Sequence, residues 1–139
     1  GGNVDALREL CGRVTRSGDG YAVPFTWFDA VDPQAIGVEV SMGHGGPFET
    51  SLVEYLGEEH VRQERFEEAG EEGADSWGEW QSGVNLAYDS AEFTENGVVG
   101  DPRDGSPEIG ERLLDAAASE LVALLDVVAQ RDRSEPPER

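Results

Sequence analysis

The chain has 139 residues, the length of one domain with room for a core of useful size. It carries 30 acidic residues against 10 basic ones, a formal net charge of -20 that would repel nucleic acid and anionic membrane surfaces. The single cysteine, Cys11, excludes an intramolecular disulfide, and no stretch is long and apolar enough to cross a bilayer, so the expected compartment is the cytoplasm.

Every basic residue is an arginine, and the acids run from Asp5 to Glu138 with only a local peak between Glu58 and Glu72. An even acidic coat of this kind suits a protein kept soluble in concentrated salt, where repulsion between carboxylates is screened. The expectation is a halophilic protein whose stability rises with salt.

In chain order, Val4, Leu7, Leu10, Cys11 and Val14 share one face of a helix that Asn3 is placed to cap. Cys11 reads as part of its apolar face. Ser17-Gly18-Asp19-Gly20 ends that helix. Tyr21 to Phe28 is rich in aromatic and β-branched residues and predicts a strand, with Pro24 marking an edge or a bulge. Asp29 to Phe48 reads mainly as loop, with a short strand at Val38 to Val40. A helix is expected to begin near Glu49 and to carry Leu52, Val53 and Leu56, followed by a shorter helical element over Glu59 to Ala69. Residues 70 to 106 are dense in Gly, Asp, Ser and Asn, and a loop region of that length points to a functional or interface role. The last helix is the clearest: Ser106 caps it, Pro107 and Glu108 occupy its first turn, and Ile109, Leu113, Ala116, Ala117, Leu121, Leu124, Leu125 and Val128 form a stripe expected to be buried. The pattern is α/β, yet one strand is too few for a parallel sheet covered on both faces.

The residues able to do chemistry concentrate in Gly43-His44-Gly45-Gly46-Pro47-Phe48-Glu49-Thr50-Ser51. A histidine among glycines lies on backbone that can approach a ligand closely, and its imidazole exchanges protons near neutral pH. Glu49, five residues on at a helix start, is favoured as an anion and suited to orient a histidine. The plainer reading is a surface histidine beside a helix-start carboxylate. His60, within Glu58-Glu59-His60-Val61-Arg62, reads as a surface residue, and the spacing of histidines and acids gives no closed zinc site. Trp77-Gly78-Glu79-Trp80 places two large aromatics in a polar region, where they line a substrate pocket or interface, or anchor the long loop on the core.

His44-Gly45-Gly46-Pro47-Phe48-Glu49-Thr50-Ser51 resembles the His-Ala-Gly-x-x-Glu-Thr-Ser pattern of the creatininase family of amidohydrolases. Gly97-Val98-Val99-Gly100-Asp101-Pro102, followed by Ser106, Glu108 and Gly110, resembles the family's Gly-x-x-Gly-Asp-Pro segment, and Gly1-Gly2-Asn3 looks like the end of its Asn-Gly-His-Gly-Gly-Asn motif. The resemblance implies a three-layer α/β/α fold with a mainly parallel sheet, of which residues 1–131 are expected to be the carboxyl-terminal part, with the amino-terminal strands missing and 132–139 a flexible tail. It implies metal-dependent hydrolysis of a non-peptide or cyclic C–N amide bond in a small molecule, at a binuclear zinc or manganese site. His44 would be the proton shuttle and Glu49 its supporting carboxylate, with Trp77 and Trp80 as substrate contacts. The family's metal ligands come from an early Glu-x-His segment, a following Asp and the histidine before Gly-Gly-Asn, so no metal ligand is expected in this chain, which should be inactive alone. Gly2 stands where creatininase itself has a metal-binding glutamate, which argues against creatinine as substrate. Deformylases of archaeal flavin and deazaflavin biosynthesis belong to the same family and are the alternative, beside a non-catalytic assembly subunit. The resemblance also implies a homo-oligomer, often a hexamer, and the acidic, lysine-free composition leads us to expect a member of haloarchaeal type.

Overall fold

The computed structural model describes residues 2–18 and 20–131. Along the chain run helices α1 (Gly2–Ser17), α2 (Trp27–Ala30), α3 (Pro47–Leu56) and α4 (Phe66–Glu71), the two-residue strands β1 (Trp80–Gln81) and β2 (Val84–Asn85), and helix α5 (Pro107–Gln130), with single 3-10 turns between them. Two compact units result: one holds the described residues up to Val31 and from Ala117 onward, the other Asp32–Ala116. The chain is mixed α and β, strongly helical. Among the described residues the sheet is a single antiparallel hairpin, pairing Trp80 with Asn85 and Gln81 with Val84, and the expected mainly parallel sheet is not seen.

In the first unit, α1 has Asp5 in its first turn and Arg16 in its last, each complementing the helix dipole. The helix starts at Gly2, so Asn3 lies inside its first turn instead of capping it. Val4, Cys11 and Val14 are half-buried on the expected face, whereas Leu7 and Leu10 are exposed. Asp19, expected in the helix-ending turn, and the 132–139 tail fall outside the described residues. The expected strand over Tyr21–Phe28 does not form. Pro24 has no N–H to give a ladder, and the backbone of Ala22 is satisfied locally: its N–H donates to Thr15 Oγ1 (3.0 Å) and its carbonyl accepts from the same hydroxyl (3.2 Å). The chain then closes α2 through Asp29 and Ala30 N–H groups donating to the Thr26 carbonyl. The Arg131 guanidinium lies 4.7 Å from the centre of the Tyr21 ring. On this part of α5, Ala117 is buried, but Leu121 and Leu125 of the expected stripe stay exposed, as do Val122 and Val127.

In the second unit, residues 32–38 form a tight turn. The Val38 N–H donates to Pro33 O and the Gly37 N–H to Gln34 O, with Gly37 at φ +67°, so the expected strand at Val38–Val40 is replaced by a turn that buries Val38. Helix α3 begins two residues before Glu49, because Pro47 at its first position is preset for helical φ and has no N–H to leave unpaired. Its buried face is Phe48, Ser51 and Glu54; Val53 and Leu56, expected inward, are exposed, and Leu52 is half-buried. The buried Glu54 carboxyl accepts a hydrogen bond from Gln63 Nε2 at 2.8 Å, which gives the buried polar group a partner.

Where α3 meets α5, a glycine is required. A Cβ on Gly110 would lie 2.0 Å from the Ser51 carbonyl oxygen, so only glycine lets the two backbones meet there. Ser51, fully buried, ties the junction: its hydroxyl donates to Pro47 O (2.5 Å) and accepts from Ser106 N (3.0 Å). Ser106 caps α5 as expected, its Oγ accepting from Ile109 N at 3.3 Å, and Leu113 one turn on is fully buried.

Candidate functional site

The glycine loop before α3 is held to a distant segment by backbone pairing. The His44 N–H donates to Val99 O (3.0 Å) and the Val99 N–H donates to His44 O (2.8 Å). Val99 is bridged to Ala74 as well, flanked by Ala74 N–H to Val98 O and Gly100 N–H to Ala74 O (both 2.9 Å). One buried valine thus joins three stretches far apart in sequence. The glycines beside His44 make this approach possible: a Cβ on Gly43 would lie 1.9 Å from Val99 O, and one on Gly46 would lie 2.5 Å from it. Gly45 adopts φ +60°, which re-aims the chain into α3.

Glu49 is the third residue of α3, and its Oε2 accepts from the Gly45 N–H at 2.7 Å. The contact reaches past the N-cap, Gly46, to the residue before it, and it fixes the carboxylate. The Gly45 carbonyl accepts from Thr50 Oγ1 at 3.2 Å, so the residue after His44 is held at both its polar groups. His44 Nδ1 faces the same Glu49 Oε2 at 3.6 Å. Both side chains are open to solvent, 62% for His44 and 45% for Glu49, so an incoming molecule can reach the imidazole.

An aromatic wall flanks the histidine. The Trp77 ring meets the imidazole edge-on, with centroids 5.7 Å apart and planes at 85°, and Phe93 backs Trp77 at 5.6 Å. Trp80 does not join that wall. Its Nε1–H donates to the Trp77 carbonyl at 2.7 Å, and Asn85 Nδ2 donates to the same carbonyl at 3.3 Å. Of the sequence-derived site residues, the structure brings together His44, Glu49 and Trp77, with Trp80 one shell further out. His60 is paired with its neighbour Glu59 at 3.6 Å on an exposed turn.

Phe93 and Val99 escaped the sequence reading. Val99 lies in a motif singled out for its glycines and aspartate, and only the backbone pairing shows what it does. Asp101 of that motif accepts from the Arg103 backbone N–H (3.0 Å) and grips the guanidinium at 2.6 Å through Oδ2. The Arg103 hydrogen bonds hold the Asp101 carboxyl below the ordinary carboxylate range.

No three or more His, Cys, Asp or Glu side chains among the described residues are grouped so as to hold a metal ion. His44 and Glu49 bring one imidazole and one carboxylate together, fewer than the three or four protein ligands of the zinc centres hydrolases use.

The family model for creatininase, described as creatinine amidohydrolase, matches residues 1–125. That match covers most of the chain and sets it among the amidohydrolases at the level of family. The chain belongs to the creatininase family. No curated protein and no solved structure matches it.

Proposed function

We propose that this chain takes part in the hydrolysis of a non-peptide or cyclic C–N amide bond, with His44 as the proton shuttle. The observation that carries the reading is the His44–Glu49 pair, its carboxylate locked by the Gly45 N–H. With Nδ1 turned to Glu49, Nε2 is the nitrogen that meets the reactants. It takes a proton from the water attacking the amide carbon and passes it to the departing nitrogen, so the C–N bond breaks to a carboxylic acid and a free amine. Glu49 stabilises the imidazolium between these two steps.

Members of the family are generally metal-dependent. The described residues do not fit a zinc or manganese centre of their own, and the steps assigned here use only His44 and Glu49. The test is turnover of a panel of small amides, including lactams and formamides, by the intact protein carrying the family's metal-ligand segments and by its His44→Ala variant, with zinc or manganese supplied. Loss of proton transfer costs typically 10²–10⁴-fold in rate, so His44→Ala should fall by about 100-fold or more. Unchanged turnover in His44→Ala removes the histidine from the mechanism; preference for formamides over lactams selects the deformylase reading.

A second reading, a subunit that acts through assembly, draws on Leu121, Val122, Leu125 and Val127, exposed on the second half of α5. The same residues suit a homo-oligomer such as the hexamer common in the family. Sedimentation of the wild type against Leu125→Glu tests it: a monomer in both dismisses the assembly reading.

A further inference from the structure

The Trp77-Gly78-Glu79-Trp80 segment is unexplained by hydrolysis alone. Trp77 approaches His44 from the chain's long irregular region, 33 positions on, and is itself 46% exposed. An exposed indole on a loop ordinarily samples several rotamers. Here its main chain is clamped from two directions: Trp80 Nε1–H and Asn85 Nδ2–H both donate to the Trp77 carbonyl. Asn85 is held in turn by the β1–β2 pairing, and its Oδ1 accepts from the Ala87 N–H at 3.0 Å. Gly78 at φ +70° is needed for this fold-back, since a Cβ there would lie 2.5 Å from Asn85 Oδ1. Phe93 then supports the indole from behind. The hydrogen bonds fix the backbone from which the Trp77 ring projects, Phe93 contacts the ring itself, and the ring stands against His44.

We propose that Trp77 is a positioning residue for His44, set by a clamp made of Trp80 and the β1–β2 hairpin. A solvent-exposed imidazole 3.6 Å from its carboxylate is held only loosely by that contact. The edge-on indole blocks rotation of the ring about its Cβ–Cγ bond, which keeps Nδ1 toward Glu49 and Nε2 outward. Trp80 therefore acts two steps back, through the Trp77 backbone, and not on the substrate. This inference rests on the His44–Glu49 reading of the site, and the following experiment separates the two.

The chain has two histidines, His44 and His60, so imidazole nitrogen-15 resonances resolve with one His60→Gln variant for assignment. Above the titration range, His44 should show mainly the Nδ1–H form, whereas an unconstrained neutral imidazole favours Nε2–H. Trp77→Leu should move the His44 shifts toward the unconstrained pattern, Trp77→Phe should keep most of the wild-type pattern, and Trp80→Phe, which keeps an aromatic ring but loses the clamping N–H, should move them part of the way. His60 resonances should stay in place throughout, and circular dichroism should report an intact fold in each variant. In turnover by the intact protein carrying the metal-ligand segments, Trp77→Leu should lower kcat roughly ten- to a hundredfold, the scale of a small misplacement of a reacting group, with KM nearly unchanged. A wild-type His44 pattern in both Trp77→Leu and Trp80→Phe overturns the clamp. If Trp77→Leu does not fold, an unchanged His44 pattern in Trp80→Phe alone overturns it. Glu49→Gln probes the pair itself: a wild-type pattern there refutes the His44–Glu49 reading, whatever the tryptophan variants show.

Discussion

Replacing Gly110 by alanine sets two effects of known size against each other. Gly110 is the fourth residue of α5, and alanine there would gain about 1 kcal/mol of helix propensity if nothing else changed. The structure opposes that gain. The new Cβ would lie 2.0 Å from Ser51 O, 2.6 Å from Ser51 C and 2.8 Å from Tyr55 Cβ. Two of these atoms are backbone, so no side-chain rotation relieves the clash, and α3 and α5 must part by roughly 1 Å or more to reach normal contact. Overpacking costs about 1–3 kcal/mol, and a clash with fixed backbone at 2.0 Å belongs at the upper end, so the net change is destabilising by about 2 kcal/mol even after the propensity gain. At roughly 3–4 °C per kcal/mol for a chain of this size, the melting temperature should drop by several degrees. Thermal and urea unfolding followed by circular dichroism measure it. Gly12→Ala is the matched control: it also lies within a helix, but its Cβ meets only the mobile Arg16 guanidinium, nearest at 3.1 Å. Gly12→Ala should therefore stabilise the protein by up to about 1 kcal/mol. A Gly110→Ala protein as stable as the wild type, or gains of equal size in both variants, would refute the reasoning.

Glu49→Ala leaves the Gly45 N–H without its acceptor and should lower stability by about 0.5–1.5 kcal/mol, read as a reduced urea midpoint; a wild-type midpoint would show that the contact does not hold the loop. Acid should expose the Asp101–Arg103 pair. The folded Asp101 carboxyl titrates below its unfolded value, so its contribution is present above about pH 4 and is lost as pH falls through the lower folded value. Asp101→Asn should thus flatten the acid limb of a pH–stability curve, and an unaltered limb between pH 5 and 3 would count against the pair. With a formal net charge of -20, melting temperature should rise steeply from about 0.1 M to molar KCl as screening shortens from about 10 Å to 3 Å; a flat profile would remove the halophile expectation.

What the sequence made legible was mostly local. Ser106-Pro107-Glu108 marked the start of α5 because capping and proline preference act within one turn. The His44–Glu49 pair was legible for the same reason, since five residues span a loop and the first turn of a helix. Tyr21–Phe28 misled because β-propensity describes a surface that fits a sheet, and this stretch finds a threonine side chain where a neighbouring strand would be. The inward face of α3 was misassigned because burial there follows Ser51 and Glu54, polar residues whose partners, Ser106 and Gln63, no periodicity rule would select. Trp77 stood out by composition, yet its contact with His44 depends on a carbonyl clamp and on the Val99 junction, neither of which has a spacing signature.

The junction at Val99 also determines how the site is lost. Its reciprocal hydrogen bonds close a loop of more than fifty residues between His44 and Val99, and the Ala74 bridge closes a second loop inside it. Closing such loops is entropically costly and is recovered only when the enclosed segments pack, so these bonds break together with the packing they enclose. The His44 and Val99 amides should accordingly be among the slowest in the chain to exchange with deuterated solvent, although His44's own ring is wet. The proposed proton-shuttle side chain is thereby mounted on one of the last parts of the backbone to open, and the His44–Glu49 geometry should vanish with global unfolding instead of fading before it.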